Sequence, residues 1–484
     1  MQFTVIQRIL GLLLALFSTT MVPPCLIALW YGHRASAIAF ATAFAIVLGL
    51  GLVLWFPVRR TVKDLKLRDG FVIVVLFWAG LGIAGAIPLL LTHYPNLSFT
   101  DAAFEAISGL TTTGATIFTG IDQLPESILF YRQELQWLGG MGIIVLAVAI
   151  LPMLGIGGMQ LYRAETPGPI KDAKLTPRIM ETAKALWYVY LALTVLCALL
   201  YWAAGMSVFD AIAHSFSTVS IGGFSTHDMS IGYFHSRAID TVAIVFMLLA
   251  GINFTLHFMA WRSLNVKVYW ADSEVRAYIK VLAGICFICC LYLVHKHIYN
   301  DYASAITHGI FQAVSISTTT GFTTASYQDW PNFLPVLLLF ASFMGACAGS
   351  TGGGMKVIRI LLLYKQGIRE IKRLIHPNAV IPIKLGDRPV PENIINAVWG
   401  FFASYVAVFT LLMLALMATG LDQITAFSAM AACLNNLGPG LGDVSAHYGD
   451  INNTAKWLLC TAMLLGRLEI FTLLVILSPG FWKK

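Results

Sequence analysis

The chain has 484 residues, 58% of them hydrophobic and only 11% charged, with a mean hydropathy of +0.77. That balance excludes a soluble multidomain protein and places the chain in lipid as a polytopic membrane protein. The net charge of +7 does not point to nucleic acid, because the basic residues fall in loops between apolar spans, where they report orientation. The eight cysteines, Cys25, Cys197, Cys286, Cys289, Cys290, Cys347, Cys433 and Cys460, lie mainly inside apolar segments and read as packing residues.

Taken in order, the chain opens on Arg8 and an apolar run from Ile9 to Trp30, interrupted by Pro23-Pro24. The run is too long for a signal peptide, so Ala35-Ser36-Ala37 is not a cleavage site and a first span is predicted. A second follows over 38–56. Arg59, Arg60, Lys63, Lys66 and Arg68 then stand beside one acid, Asp64, which predicts a cytoplasmic loop.

From there a rhythm of span, short apolar helix, glycine loop and return span is repeated. Spans are predicted over 71–91 and 135–154, 183–203 and 239–258, 281–294 and 333–364, and 397–418 and 457–477. The fold expected is all-α: four pseudo-symmetric helix–pore helix–helix units around a central pore, preceded by two extra transmembrane helices. The units are placed at 69–160, 161–265, 266–375 and 376–484, after leading residues 1–68. Ten spans put both termini in the cytoplasm.

Between the two spans of each unit lies one motif. Ser108-Gly-Leu-Thr111-Thr112-Thr113-Gly114 is echoed by Ser315-Ile-Ser-Thr318-Thr319-Thr320-Gly321. The template also fits Ser217-Thr-Val-Ser220-Ile221-Gly222-Gly223 and, more loosely, Ala432-Cys-Leu-Asn435-Asn436-Leu437-Gly438. The leads run from Asp101, Asp210, His308 and Thr425, so each glycine stands at the same offset. Such a helix is too short to cross a bilayer and is expected to re-enter the side it left.

Dehydrating a cation is costly, and four quasi-equivalent loops around one axis can replace its water with oxygens. Glycine permits positive φ and close approach at the axis, and threonine hydroxyls either add oxygens or brace the loop. Helix C-termini aimed at the centre add partial negative charge. Predicted connections on the cytoplasmic side carry Arg163, Lys171, Lys174, Arg178, Arg262, Lys267, Arg276, Lys280, Arg359, Lys365, Arg369, Lys372, Arg373, Lys384 and Arg388. Predicted outer segments carry Asp101, Glu105, Asp122, Glu126, Asp210, Asp228, Asp301, Asp329, Asp422, Asp443 and Asp450. Those acids either concentrate cations at the mouth or merely avoid the basic side.

On these four loops the chain resembles the TrkH/TrkG/KtrB/HKT superfamily of potassium transporters, the bacterial TrkH branch most, over nearly its whole length. The resemblance implies K+ as the transported ion, a bacterial inner-membrane location, and K+ held by filter backbone carbonyls around Gly114, Gly223, Gly321 and Gly438. It also implies a homodimer within membrane lipids, with a cytosolic TrkA-like ring that binds adenine nucleotides. Relatives that favour sodium have serine at the first glycine, so Gly114 points to potassium. The second loop lacks the threonine triplet and the fourth keeps only the glycine, so an asymmetric filter is expected.

The third return span contains Gly345-Ala-Cys-Ala-Gly349-Ser-Thr-Gly352-Gly353-Gly354-Met355-Lys356, too glycine-rich for a regular helix. It is not a phosphate-binding loop, since Met355 displaces the lysine and Val357 stands where Ser or Thr is required, so no nucleotide is expected on this chain. The helix is expected to break in the membrane, as a packing kink or, as the resemblance implies, a gate loop under the filter. Arg467 and Glu469 are charges in the last span; two apart on a helix they do not face one another, and they read either as pore-facing or as members of structural salt bridges with neighbours. The resemblance places an arginine like Arg467 against the gate.

No His-Glu-x-x-His, paired intramembrane aspartates or Ser/His pair at plausible spacing is present, and an enzyme is not expected. Channel-like conduction is the leading reading. Proton- or sodium-coupled symport on the same fold is the alternative, weakened by the lack of a chain of intramembrane acids.

Overall fold

A computed structural model describes residues 1–61, 67–92, 94–142, 179–386 and 388–483 of the chain. Numbering helices of seven residues or more, the chain begins with α1 (Phe3–Ser18) and α2 (Val22–Trp30), a single run bent through a short 3-10 turn, followed by α3 (Arg34–Trp55). Gly11 and Gly51 bring α1 and α3 together: a Cβ on Gly51 would lie 2.6 Å from Ala15 N. Small residues of this kind let helix backbones touch where lipid supplies no hydrophobic drive.

Four units follow, each with an outer helix, a short buried helix and a return helix. The first has α4 (Leu67–Leu91), α5 (Phe99–Leu110) and α6 (Glu126–Trp137), the last running into a π turn at Leu138–Gly142. The second has α7 (Ile179–Ala203), α8 (Val208–Val219) and a return split into α9 (Arg237–Ala250) and α10 (Phe254–Ser263). The third has α11 (Ser273–His295), α12 (Tyr302–Ser317), then α13 (Phe333–Met344) and α14 (Val357–Ile375) on either side of the glycine loop. The fourth has α15 (Glu392–Ala418), α16 (Gln423–Leu434), α17 (Asn453–Arg467) and α18 (Phe471–Leu477). The chain is an all-helical, multi-pass membrane protein. The β structure among the described residues is a ladder of Lys384–Leu385 against Arg388–Pro389.

Straight second and fourth return spans were expected, and both are broken. α9 and α10 meet at 96°, α17 and α18 at 114°. In the second unit the first helix stops at Ala250 with Gly251 at its C-cap, and Asn253 caps the next, its Oδ1 accepting from Thr255 N at 2.8 Å. In the fourth, Glu469 and Ile470 both take positive φ, and Glu469 turns aside to pair with Arg359. Six described helices are long and apolar enough to cross a membrane, or eight if each bent pair counts as one span. The predicted 135–154 span passes into residues outside the described set, as do Lys63, Lys66 and the basic loop carrying Arg163, Lys171, Lys174 and Arg178.

Candidate functional site

Each short helix is capped by its own sequence. Ser98 accepts from Asp101 N, Ser207 from Asp210 N, Asp301 from Ser304 N, and Asp422 from Ile424 N and Thr425 N. Side-chain acceptors satisfy the orphan amides of the first turn. Three of these helices have 12 residues and α12 has 16, so the third simply starts a turn earlier.

Their C-termini share one geometry. Thr113, Gly222, Thr320 and Leu437 donate their N–H to Ser108, Ser217, Ser315 and Ala432, at 2.7 to 2.9 Å. The preceding residues, Thr112, Ile221, Thr319 and Asn436, donate to Gly109, Thr218, Ile316 and Cys433. This is the Schellman pattern, which ordinarily places glycine at its left-handed position. Here that position holds Thr112 (φ 54°), Ile221 (56°), Thr319 (69°) and Asn436 (55°). Such a conformation costs about 1–3 kcal/mol for a non-glycine residue. Glycine is instead placed two residues later, at Gly114, Gly223, Gly321 and Gly438, with φ of 80°, 81°, 83° and 94°.

Those four glycines close a ring. A Cβ on Gly114 would strike Gly222 O, one on Gly223 would strike Thr320 O, one on Gly321 would strike Leu437 O, and one on Gly438 would lie 2.7 Å from Thr113 O. Each loop therefore abuts the carbonyl before the next loop's glycine, in the order one, two, three, four and back to one. All four glycines line a cavity of about 330 Å³ on one side of the ring, with Arg132, His227 and Tyr448 also in its wall.

The loops' polar side chains brace rather than line the ring. Thr111 donates to Ile107 O and lies 2.8 Å from Thr113 Oγ1, and Thr318 and Thr320 repeat that contact. In the fourth loop Asn436 Nδ2 donates to Thr113 Oγ1 and Met463 O, and Asn435 is held by Tyr405 and Ser342. Ser220 donates to Ser217 O.

Residues Gly345 to Lys356 pack directly on the other side of this ring. Gly353 N donates to Thr319 Oγ1 at 2.7 Å and Gly354 N to Asn435 O at 3.0 Å. A Cβ on Gly352 would lie 3.0 Å from Thr318 O. Gly345, Gly349 and Gly354 take positive φ, and Lys356 donates to Gly352 O. Both ends of the loop are held by Glu274, whose Oε1 accepts from Ala348 N at 2.8 Å and Ile358 N at 3.0 Å. Arg467 donates to Thr112 Oγ1 at 3.1 Å, Thr351 O at 3.2 Å, Gly140 O at 2.6 Å and Gly139 O. It thus touches the first loop, the glycine loop and the first unit's return helix at once. Glu469 is bound to Arg359 across the fold.

Of the eleven outer acids named from the sequence, Glu105, Asp101 and Asp301 are paired with a lysine or arginine among the described residues. Glu105 is 1% exposed and bound by Arg132 at 2.7 Å, Lys456 bonds Asp101 at 2.7 Å, and Arg237 pairs with Asp301. Arg132 also donates to Ser225 O and lies 4.2 Å over the Phe224 ring, tying the first unit to the second. Sequence reasoning missed Arg132, Gln136, Lys456 and Glu274. The polar run Tyr131-Arg132-Gln133-Glu134-Leu135-Gln136 in an otherwise apolar return was the signal available. Removing one member of a buried ion pair costs about 3–5 kcal/mol, so Glu105→Ala should lower the thermal midpoint of purified protein sharply.

His227, at the cavity wall, pairs with Asp122 and, at 3.5 Å, with Asp210. Burial opposes the imidazolium, but those partners outweigh it and raise His227 above its ordinary 6.5. Its stabilisation should be complete below about pH 6.5 and fade as pH rises through the raised value. Thermal midpoints of wild type and His227→Gln should therefore differ most in acid and converge in base.

A model of the family described as "TrkH: Cation transport protein" matches residues 36–484. The chain belongs to the TrkH family. It is 61% identical to the Trk system potassium uptake protein TrkH of Vibrio parahaemolyticus and 57% to that of Escherichia coli K12, over 100% of each chain. The E. coli Trk system potassium uptake protein TrkG is 42% identical over 99% of both. The crystal structure of the potassium transporter TrkH from V. parahaemolyticus superposes with a TM-score of 0.91, at 58% identity, and covers 100% of both chains. TrkH-family members are transport proteins rather than enzymes, and the four-unit helical architecture is the family's.

Proposed function

We propose that this chain is the potassium-selective, channel-like transmembrane subunit of a Trk-type uptake system in a bacterial inner membrane. The observation that carries the reading is the closed ring of Gly114, Gly223, Gly321 and Gly438, each packed on the next loop's carbonyl. The segments Thr111–Gly114, Ser220–Gly223, Thr318–Gly321 and Asn435–Gly438 supply backbone oxygens that replace the water of K+. Side-chain hydroxyls, already committed to bracing, fix the width. The names of the relatives, all Trk system potassium uptake proteins, support K+ as the ion.

Gly345 to Lys356 and Arg467 act as the gate, the loop by obstructing the path and Arg467 by its charge. The chain works as a homodimer with both termini cytoplasmic, and a cytosolic TrkA-like nucleotide-binding ring acts on α14. Within α14, Arg359 is buried against Glu469 and Arg369 against Glu392. Lys372 and Arg373 remain as contact residues.

Rubidium or potassium uptake in cells lacking their own potassium transporters tests the reading. Expression of this chain with its regulatory ring should restore growth at limiting potassium. Absence of uptake by membrane-inserted protein contradicts it.

A further inference from the structure

In the first and third loops the residue before the ring glycine is Thr113 or Thr320, whose hydroxyl meets that of Thr111 or Thr318 at 2.8 Å. In the second loop that residue is Gly222, and the missing side chain should leave a hole. The hole is filled from another unit. Gln136 of α6 is fully buried, its Nε2 donates to Gly222 O at 2.6 Å, and its Oε1 accepts from Phe224 N at 3.0 Å. A Cβ on Gly222 would collide with the Gln136 amide. The amide orientation is fixed by its partners, since a carbonyl requires the NH2 and a backbone N–H requires the oxygen.

We infer that Gln136 is a selectivity-determining positioning residue, standing in for the absent threonine and setting the Gly222 carbonyl at the seam between the first and second loops. The inference rests on the reading of the four loops as the ion filter. Gly222 O is also the atom that a Cβ on Gly114 would strike, so Gln136 holds the carbonyl against which the first glycine packs. A carbonyl that already accepts a side-chain N–H has one lone pair engaged and is pinned in direction. The second loop therefore presents a stiffer and weaker oxygen than its counterparts. Gln136 grips both sides of Gly223, through the carbonyl of residue 222 and the N–H of residue 224, so its loss frees that peptide pair to rotate. Field strength and flexibility of the coordinating carbonyls are what discriminate K+ from Na+ in such rings.

The test is the K+ to Na+ permeability ratio of reconstituted protein, with folded yield measured alongside. Gln136→Ala should lower the ratio about tenfold while leaving folded protein. Gly222→Thr alone should also lower it, because threonine and Gln136 compete for one space. Combined with Gln136→Ala, Gly222→Thr should recover most of the ratio, its hydroxyl meeting Ser220 as Thr113 meets Thr111. Should Gln136→Ala not fold, the isosteric Gln136→Glu decides, placing an acceptor against Gly222 O and again lowering the ratio. An unchanged ratio in the folded variant, or a double variant no better than Gln136→Ala, overturns the inference. Gly114→Ser in the same assay separates the two failures. If it shifts the ratio and Gln136 variants do not, only the role of Gln136 fails. If it does not shift the ratio, the filter reading fails.

Discussion

Arg467→Ala should raise potassium flux per folded molecule by about tenfold or more, without the regulatory ring. The reason is electrostatic. The guanidinium donates to oxygens of Thr112, Thr351, Gly139 and Gly140, which hold it between the first loop and the glycine loop. At about 5 Å and an effective dielectric near 20, a unit charge opposes a passing cation by about 3 kcal/mol. Each 1.36 kcal/mol is about a factor of ten in rate. Arg467→Lys separates charge from bracing, because lysine keeps the charge but cannot reach four acceptors in the same fork. Its flux should stay low while its thermal stability falls. Deleting Gly349 to Gly353 should also raise flux, but at a cost in selectivity, since Gly353 N supports Thr319 in the ring above. Flux at or below wild type in both Arg467→Ala and the deletion, normalised to folded protein, would remove the gate from the account.

Alanine at the ring glycines should reduce potassium preference in a graded order. At Gly114, Gly223 and Gly321 a Cβ would press into a carbonyl oxygen of the neighbouring loop, whereas at Gly438 the separation is 2.7 Å. All four also hold a left-handed φ that costs alanine about 1–2 kcal/mol. The first three substitutions should therefore lower the K+ to Na+ ratio by about tenfold to a hundredfold, and Gly438→Ala by less. Reversal potentials under mixed-ion conditions report that order. Equal effects at all four positions would mean that backbone strain, not the contact across the seam, decides the outcome.

The four-unit plan was legible in the sequence because its determinants are local. A short apolar helix leading to a glycine recurs four times at a constant offset, twice through Thr-Thr-Thr-Gly, and twelve glycine-rich residues in one return span announce their own break. The breaks at Gly251–Asn253 and Leu468–Ile470 were not legible. Leu-Glu-Ile is a good helical sequence, and what turns it is Arg359, 110 positions away in the chain. The fine structure of the ring was hidden for the same reason. Gln136 reads as one polar residue in a return helix until the fold lays it against Gly222, and Glu105 reads as an outer acid until Arg132 is placed over it. Local patterns predicted the elements and their loops. Contacts between units, which set the charge of the mouth and the asymmetry of the ring, belong to the tertiary structure.

The most direct test of the central claim, that the four glycine loops form the potassium-selective ring, is the reversal potential of reconstituted protein between potassium and sodium solutions, wild type against Gly114→Ser. The account predicts a strong potassium preference in wild type and a shift toward sodium in the variant, because the serine side chain must displace Gly222 O. A potassium preference identical in the two proteins, both folded and conducting, would contradict it.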